Sequence, residues 1–132
     1  MSLTEETAHA VIKAARVAAN SIGVPMNIAV LDAGAHLKAF ARMDGALLGS
    51  IDIALGKAKT AVLFGMNSEA VGEFCKPGGP SPGLELTNGT LVVFAGGIAI
   101  RNADGVVIGS VGVSGGAIEQ DLLVARAAAS PP

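Results

Sequence analysis

The chain has 132 residues, a hydrophobic fraction of 51%, a charged fraction of 15% and a formal net charge of −2. That balance argues against disorder and gives no electrostatic case for nucleic acid, and no apolar run is long enough to span a bilayer. Only four Phe, with no Trp or Tyr, leave the core to Ala, Val, Ile and Leu, and the single cysteine, Cys75, cannot form an internal disulfide.

The length predicts one domain over residues 1–132. The start, M-S-L-T-E-E, is acidic where a secretory signal is basic, which predicts a cytoplasmic protein. Low charge and aliphatic richness predict a homo-oligomer in which a partner subunit covers apolar surface.

Leu3-Thr4-Glu5-Glu6 reads as a helix start, with Thr4 as cap, acids at the positive helix end and Leu3 as staple. Ala8, Val11, Ile12, Ala15, Ala19 and Ile22 keep helical spacing, His9 lies beside this stripe, and Gly23 and Pro25 close the helix. Met26 to Asp32 and Leu37 to Arg42 read as two strands of a hairpin, turning at Asp32-Ala-Gly-Ala-His36 with Gly34 free to take positive φ. Ser50 is the expected cap of a second helix, buried along Ile51, Ala54, Leu55, Ala58 and Val62 and ended by Gly65. Ser68 is the expected cap of a short helix to about Cys75. Lys76 to Asn88 contains P-G-G-P-S-P-G, a long loop of the kind used as a lid or partner contact. Thr90 to Phe94 and Ile98 to Arg101 read as strands, and Asn102-Ala-Asp-Gly105 as a hairpin turn.

Asp104 to Asp121 organises the rest. An apolar strand, Val106 to Val113, meets Ser114-Gly115-Gly116, and a helix from Ala117 to about Ala129 follows with Glu119 and Asp121 in its early turns. A strand that passes through paired glycines into a helix leaves amide N–H groups at the helix start, a place suited to an anion. The same glycines equally serve a turn and close packing. The succession of elements predicts an α/β (α+β) fold, with a five-stranded, mainly antiparallel sheet of order 2-1-5-4-3 flanked by helices.

Several segments together resemble the GlcG/HbpS haem-binding-like family, which includes the C-terminal domain of PduO-type proteins. They are L-T-E-E-T-A, I-A-V-L-D-A-G-A-H-L-K-A-F-A-R-M-D-G-A, S-I-D-I-A-L-G-K-A-K-T-A, P-G-G-P, F-A-G-G-I-A-I and D-G-V-V-I-G-S-V-G-V-S-G-G with E-Q-D after it. The match runs in order through nearly the whole chain. It implies a profilin-like fold, homo-oligomers and a small-molecule ligand, with haem or another tetrapyrrole as the cofactor. Histidine serves as an iron ligand in haem-binding members, and only His9 and His36 are available here. His36 sits inside the well-matched D-A-G-A-H-L motif.

The candidate binding residues are therefore His36, His9, Arg42, Ser114, Gly115 and Gly116, and the catalytic candidates are His36, Arg42 and Glu119. Arg42 either holds a carboxylate in two-pronged fashion or pairs with Asp44 on the surface. Glu119 and Asp121 act as general base or metal ligand, or simply favour the positive helix end. Lys57 reads as a stem lying over apolar surface with its ammonium in water. There is no His/Cys cluster at metal spacing, no nucleophile elbow and no P-loop or dinucleotide fingerprint. Three function classes follow: a small-ligand-binding protein for haem or another tetrapyrrole; an enzyme or accessory protein acting on a small organic acid, of the glycolate type that the resemblance implies, by proton transfer, hydrolysis or isomerisation; or an oligomeric scaffold whose loop at 76–88 grips a neighbour.

Overall fold

The computed structural model describes residues 2–130. Helix α1 (Glu5–Ile22) starts where Thr4 accepts a hydrogen bond from the Thr7 amide and ends at Gly23 in the left-handed conformation. Strands β1 (Asn27–Asp32) and β2 (Leu37–Arg42) form the first hairpin. Helices α2 (Gly49–Phe64) and α3 (Ser68–Cys75) follow, then a 3-10 turn at Leu84–Leu86. Strands β3 (Gly97–Arg101) and β4 (Val107–Ser114) and helix α4 (Ile118–Ala129) complete the order.

The sheet has four strands, all pairing antiparallel, in the order β2-β1-β4-β3. This corrects the five-strand, 2-1-5-4-3 expectation. Residues Thr90 to Phe94, expected as a strand, join no sheet because other groups take their backbone. The Val92 amide donates to Thr60 Oγ1, the Phe94 carbonyl accepts from Ser68 Oγ, and Leu91 N–H donates to the Glu85 carbonyl. Thr90 itself has φ 78°, which no strand residue adopts. Deletion of that one strand leaves the rest of the predicted order intact, with the glycine-bearing strand β4 in mid-sheet.

The two faces of the sheet are built differently. Ile28, Val30, Val111 and Val113 face α1 and α4 in the larger core. Ala29 and Leu31 face α2, where they meet Ala54, Ala58 and Val62. Gly112 and Ser110 lie on this second face. A Cβ at Gly112 would run into the Ala54 carbonyl oxygen, and Ser110 Oγ donates to the Ala58 carbonyl at 2.6 Å. The small residues of β4 therefore let α2 press its backbone onto the strand.

Three local expectations are corrected. Positive φ in the first hairpin falls at Ala35 (66°), not Gly34, because Asp32 Oδ1 accepts from both the Gly34 and His36 amides and fixes the turn. Helix α2 begins without a side-chain cap, at Leu48, and Ser50 is buried inside its first turn. Ser68 lies inside α3; its hydroxyl donates to Phe94 and accepts from the Gly97 amide. Both serines satisfy tertiary contacts or burial in place of the helix ends.

Candidate functional site

Helix α1 carries a polar stripe beside its buried one. His9, Lys13, Arg16 and Asn20, spaced four, three and four residues apart, fall on one face. That face flanks the edge strand β2, and two adjoining hollows lie between them. The first, about 320 Å³, is lined by His9, Ile12, Lys13, Arg16 and Ala39 to Ala41. The second, about 500 Å³, is lined by Arg16, Asn20, Val24, Pro25, Arg42 and Asp44. Arg16 borders both, so they form one groove of the size small ligands use.

The groove is cationic although the chain is acidic overall. Among the described residues the ion pairs are His36–Asp32, Lys57–Asp121 and Lys76–Glu73. Lys13, Arg16 and Arg42 enter none of them, so the expected surface pairing of Arg42 with Asp44 is absent. An imidazole, three unpaired cations and an apolar wall from Ile12 and Ala39 can take a flat apolar body that carries carboxylates.

His36 lies elsewhere. It is exposed at the β1–β2 turn, 3.6 Å from Asp32, with a side-chain exposure of 83%. Six residues of extended chain, about 20 Å, separate it from Arg42. The hydrogen bond from the His36 amide holds the Asp32 carboxyl below the usual carboxylate value.

The glycine-headed helix start is closed by its own side chains. The Gly116 amide donates to Asp121 Oδ1 at 2.9 Å and the Ala117 amide to Gln120 Oε1 at 2.8 Å. Ser114 is buried in mid-sheet and Gly115 sits against the Pro25 carbonyl. This turn backs onto Val24 and Pro25, the floor of the Arg42 hollow, without opening its amides into it. Glu119 is exposed on the first turn of α4 and does not line that hollow.

Lys57 corrects the sequence expectation most. Its side chain has no solvent exposure, and its ammonium donates to Asp121 Oδ2 and the Val113 carbonyl, both at 2.9 Å. The Phe94 ring centroid lies 5.2 Å away. A Cβ at Gly96 would come within 2.7 Å of Nζ, so this glycine leaves room for the charge. The signal was its spacing: Lys57 falls three residues after Ala54 and four before Ala61, inside the buried stripe. Burial lowers the Lys57 pKa, and the hydrogen bond it donates to the Asp121 carboxylate offsets part of that shift. Among the described residues, no group of three or more His, Cys, Asp or Glu is placed to hold a metal ion. None of their helices is long and apolar enough to cross a membrane.

Comparison with known proteins agrees with this architecture. Residues 3–130 match the family model described as haem degrading protein HbpS-like. A 15.0 kDa protein of the dhaT-dhaS intergenic region of Citrobacter freundii is 38% identical over 96% of this chain and 89% of its own. The crystal structure of a PduOC–haem complex superposes with a TM-score of 0.93 at 34% identity, covering 100% of this chain and 96% of that one. Klebsiella pneumoniae ORFY superposes with a TM-score of 0.91 at 35% identity, covering 96% and 88%. The chain belongs to the HbpS-like family.

Proposed function

We propose that this chain binds a small ligand, haem or a related tetrapyrrole, in the groove between α1 and β2. His9 would hold the iron, and Lys13, Arg16 and Arg42 would receive the propionates. One observation carries the reading: His9 shares a hollow with Arg16, an unpaired cation, and with an apolar wall, whereas His36 stands exposed at a turn. Seven residues of helix place Arg16 about 10 Å along the axis from His9, comparable with the reach from the centre of a porphyrin to its carboxylates. The haem complex of the similar PduOC supports the same ligand class. Bound haem would supply a redox-active iron, and the chain's own residues would hold the ring and neutralise its acids.

The competing reading, catalysis on a small organic acid, needs Arg42 beside His36 or Glu119. His36 is at the far end of β2 and Glu119 is outside the hollow, so binding is the better supported. Haemin titration is the test. A saturable Soret shift at equimolar haemin is expected, altered in His9→Ala and unchanged in His36→Ala. A response that never saturates, or one indifferent to His9→Ala, overturns this assignment.

A further inference from the structure

We infer that the groove recognises its ligand through carboxylates more than through a metal, and so takes dicarboxylic tetrapyrroles as a class, metal-free and ring-opened forms included. This rests on the tetrapyrrole reading above. The groove offers a metal one imidazole and little else. His36 is about 20 Å from Arg42 along β2. The one sulfur at hand, Met43 Sδ, already accepts from the Met26 amide at 3.4 Å. A single exposed imidazole is a modest anchor, because it competes with water and with protonation.

Carboxylates find far more. Lys13 and Arg16 point from one helix face into the same hollow, and Arg42 lines the adjoining one. None of the three is spent on an acidic partner among the described residues. Asp44 is the one acid bordering the groove, at its Arg42 end. Guanidinium groups present forked donors that match a carboxylate in two-pronged geometry, whether or not an iron sits between the acids. The apolar wall of Ile12 and Ala39 meets any flat conjugated body alike. These groups are solvent-exposed, so their attraction is screened by salt.

Equilibrium titrations of the whole chain distinguish the two modes of recognition. The probes are haemin, metal-free protoporphyrin IX, biliverdin and haemin dimethyl ester, whose acids are masked. Protein side chains do not absorb or emit in the visible, so absorbance reports the binding of all four probes and emission that of protoporphyrin IX. Protoporphyrin IX and biliverdin are expected to bind within about tenfold of haemin, and the diester at least about tenfold more weakly. Arg16→Gln with Arg42→Gln weakens haemin and protoporphyrin IX in parallel by about tenfold or more, and added salt weakens both in the parent. His9→Ala changes the haemin spectrum and leaves protoporphyrin IX affinity in place. Circular dichroism shows that each variant, altered only at exposed positions, is folded.

If haemin binds in a His9-dependent way while protoporphyrin IX does not bind, carboxylate recognition is overturned and the haem reading stands. If the arginine variants bind both porphyrins as the parent does, the inference is likewise overturned. If no tetrapyrrole binds saturably, both fall.

Discussion

A lysine ammonium without solvent contact survives only if the surrounding groups replace its water. At Lys57 these are Asp121 Oδ2, the Val113 carbonyl and the face of Phe94. Asp121 is saturated in turn, because its other oxygen accepts from the Gly116 amide. Removal of one partner strands the other, so Asp121→Asn is expected to destabilise the chain by about 3–5 kcal/mol, while Lys57→Met combined with Asp121→Leu loses much less. Urea denaturation followed by circular dichroism measures both; equal losses would show that the pair contributes nothing as a pair. The same site has a pH signature. The folded pKa of Lys57 lies below the ordinary 10.5, so between the two values the unfolded chain binds the extra proton. Its contribution to stability is therefore full above 10.5 and is lost as pH falls through the lowered folded value. Lys57→Met should flatten the slope of unfolding free energy against pH in that alkaline window, and an unchanged slope would assign it to other groups. The sequence shows Lys57 on a buried stripe but not the carboxylate 64 positions later that makes burial tolerable, which is why a solvated stem was the natural expectation.

At the scale of elements, the segment from Asn88 to Phe94 shows how tertiary contacts override propensity. Thr-Leu-Val-Val-Phe favours a strand, yet its hydrogen bonds go to Thr60 and Ser68 hydroxyls on helices α2 and α3. Lys59 caps the carbonyls of Asn88 and Thr90, which with Gly89 make three successive positive φ values. No local pattern announces partners thirty residues away. The caps at Thr4, Gly23 and Gly65 and the Asn102 turn were legible because each is satisfied within a few residues of sequence. The docking of this segment explains two helical glycines. A Cβ at Gly56 would strike the Val92 side chain, and one at Gly72 the Val93 carbonyl oxygen. On propensity alone Gly72→Ala would stabilise α3 by up to about 1 kcal/mol. Because the obstacle is backbone, the variant is expected instead to lose about 1–3 kcal/mol. A gain in urea midpoint would show that residues 91–94 are not seated on α3.

The whole molecule is three layers, and the two features of chemical interest are set apart in it. The buried Lys57–Asp121 pair ties α2 to the first turn of α4 beside the end of β4, whereas the groove lies between α1 and the sheet edge. The helical spacing of His9, Lys13 and Arg16 was readable from the sequence; their meeting with Arg42 was not, since it depends on how α1 crosses β2. The matched motif D-A-G-A-H-L favoured His36 because motif quality reports the turn as much as any site, and Asp32 there holds the Gly34 and His36 amides. Separate layers predict separable effects. Gly112→Ala sets a Cβ against the Ala54 carbonyl and the Ala58 amide, so α2 must lift from β4. A loss of about 3 kcal/mol or more is expected. It should be less than additive with Lys57→Met/Asp121→Leu, since both changes act on the seating of α2. Porphyrin affinity of the folded variant should stay within about twofold, because α1 packs on the other face and the groove cations touch neither residue. A variant that remains folded but loses porphyrin binding together with stability would place the ligand against the α2 layer instead, and the groove between α1 and β2 would no longer be the site.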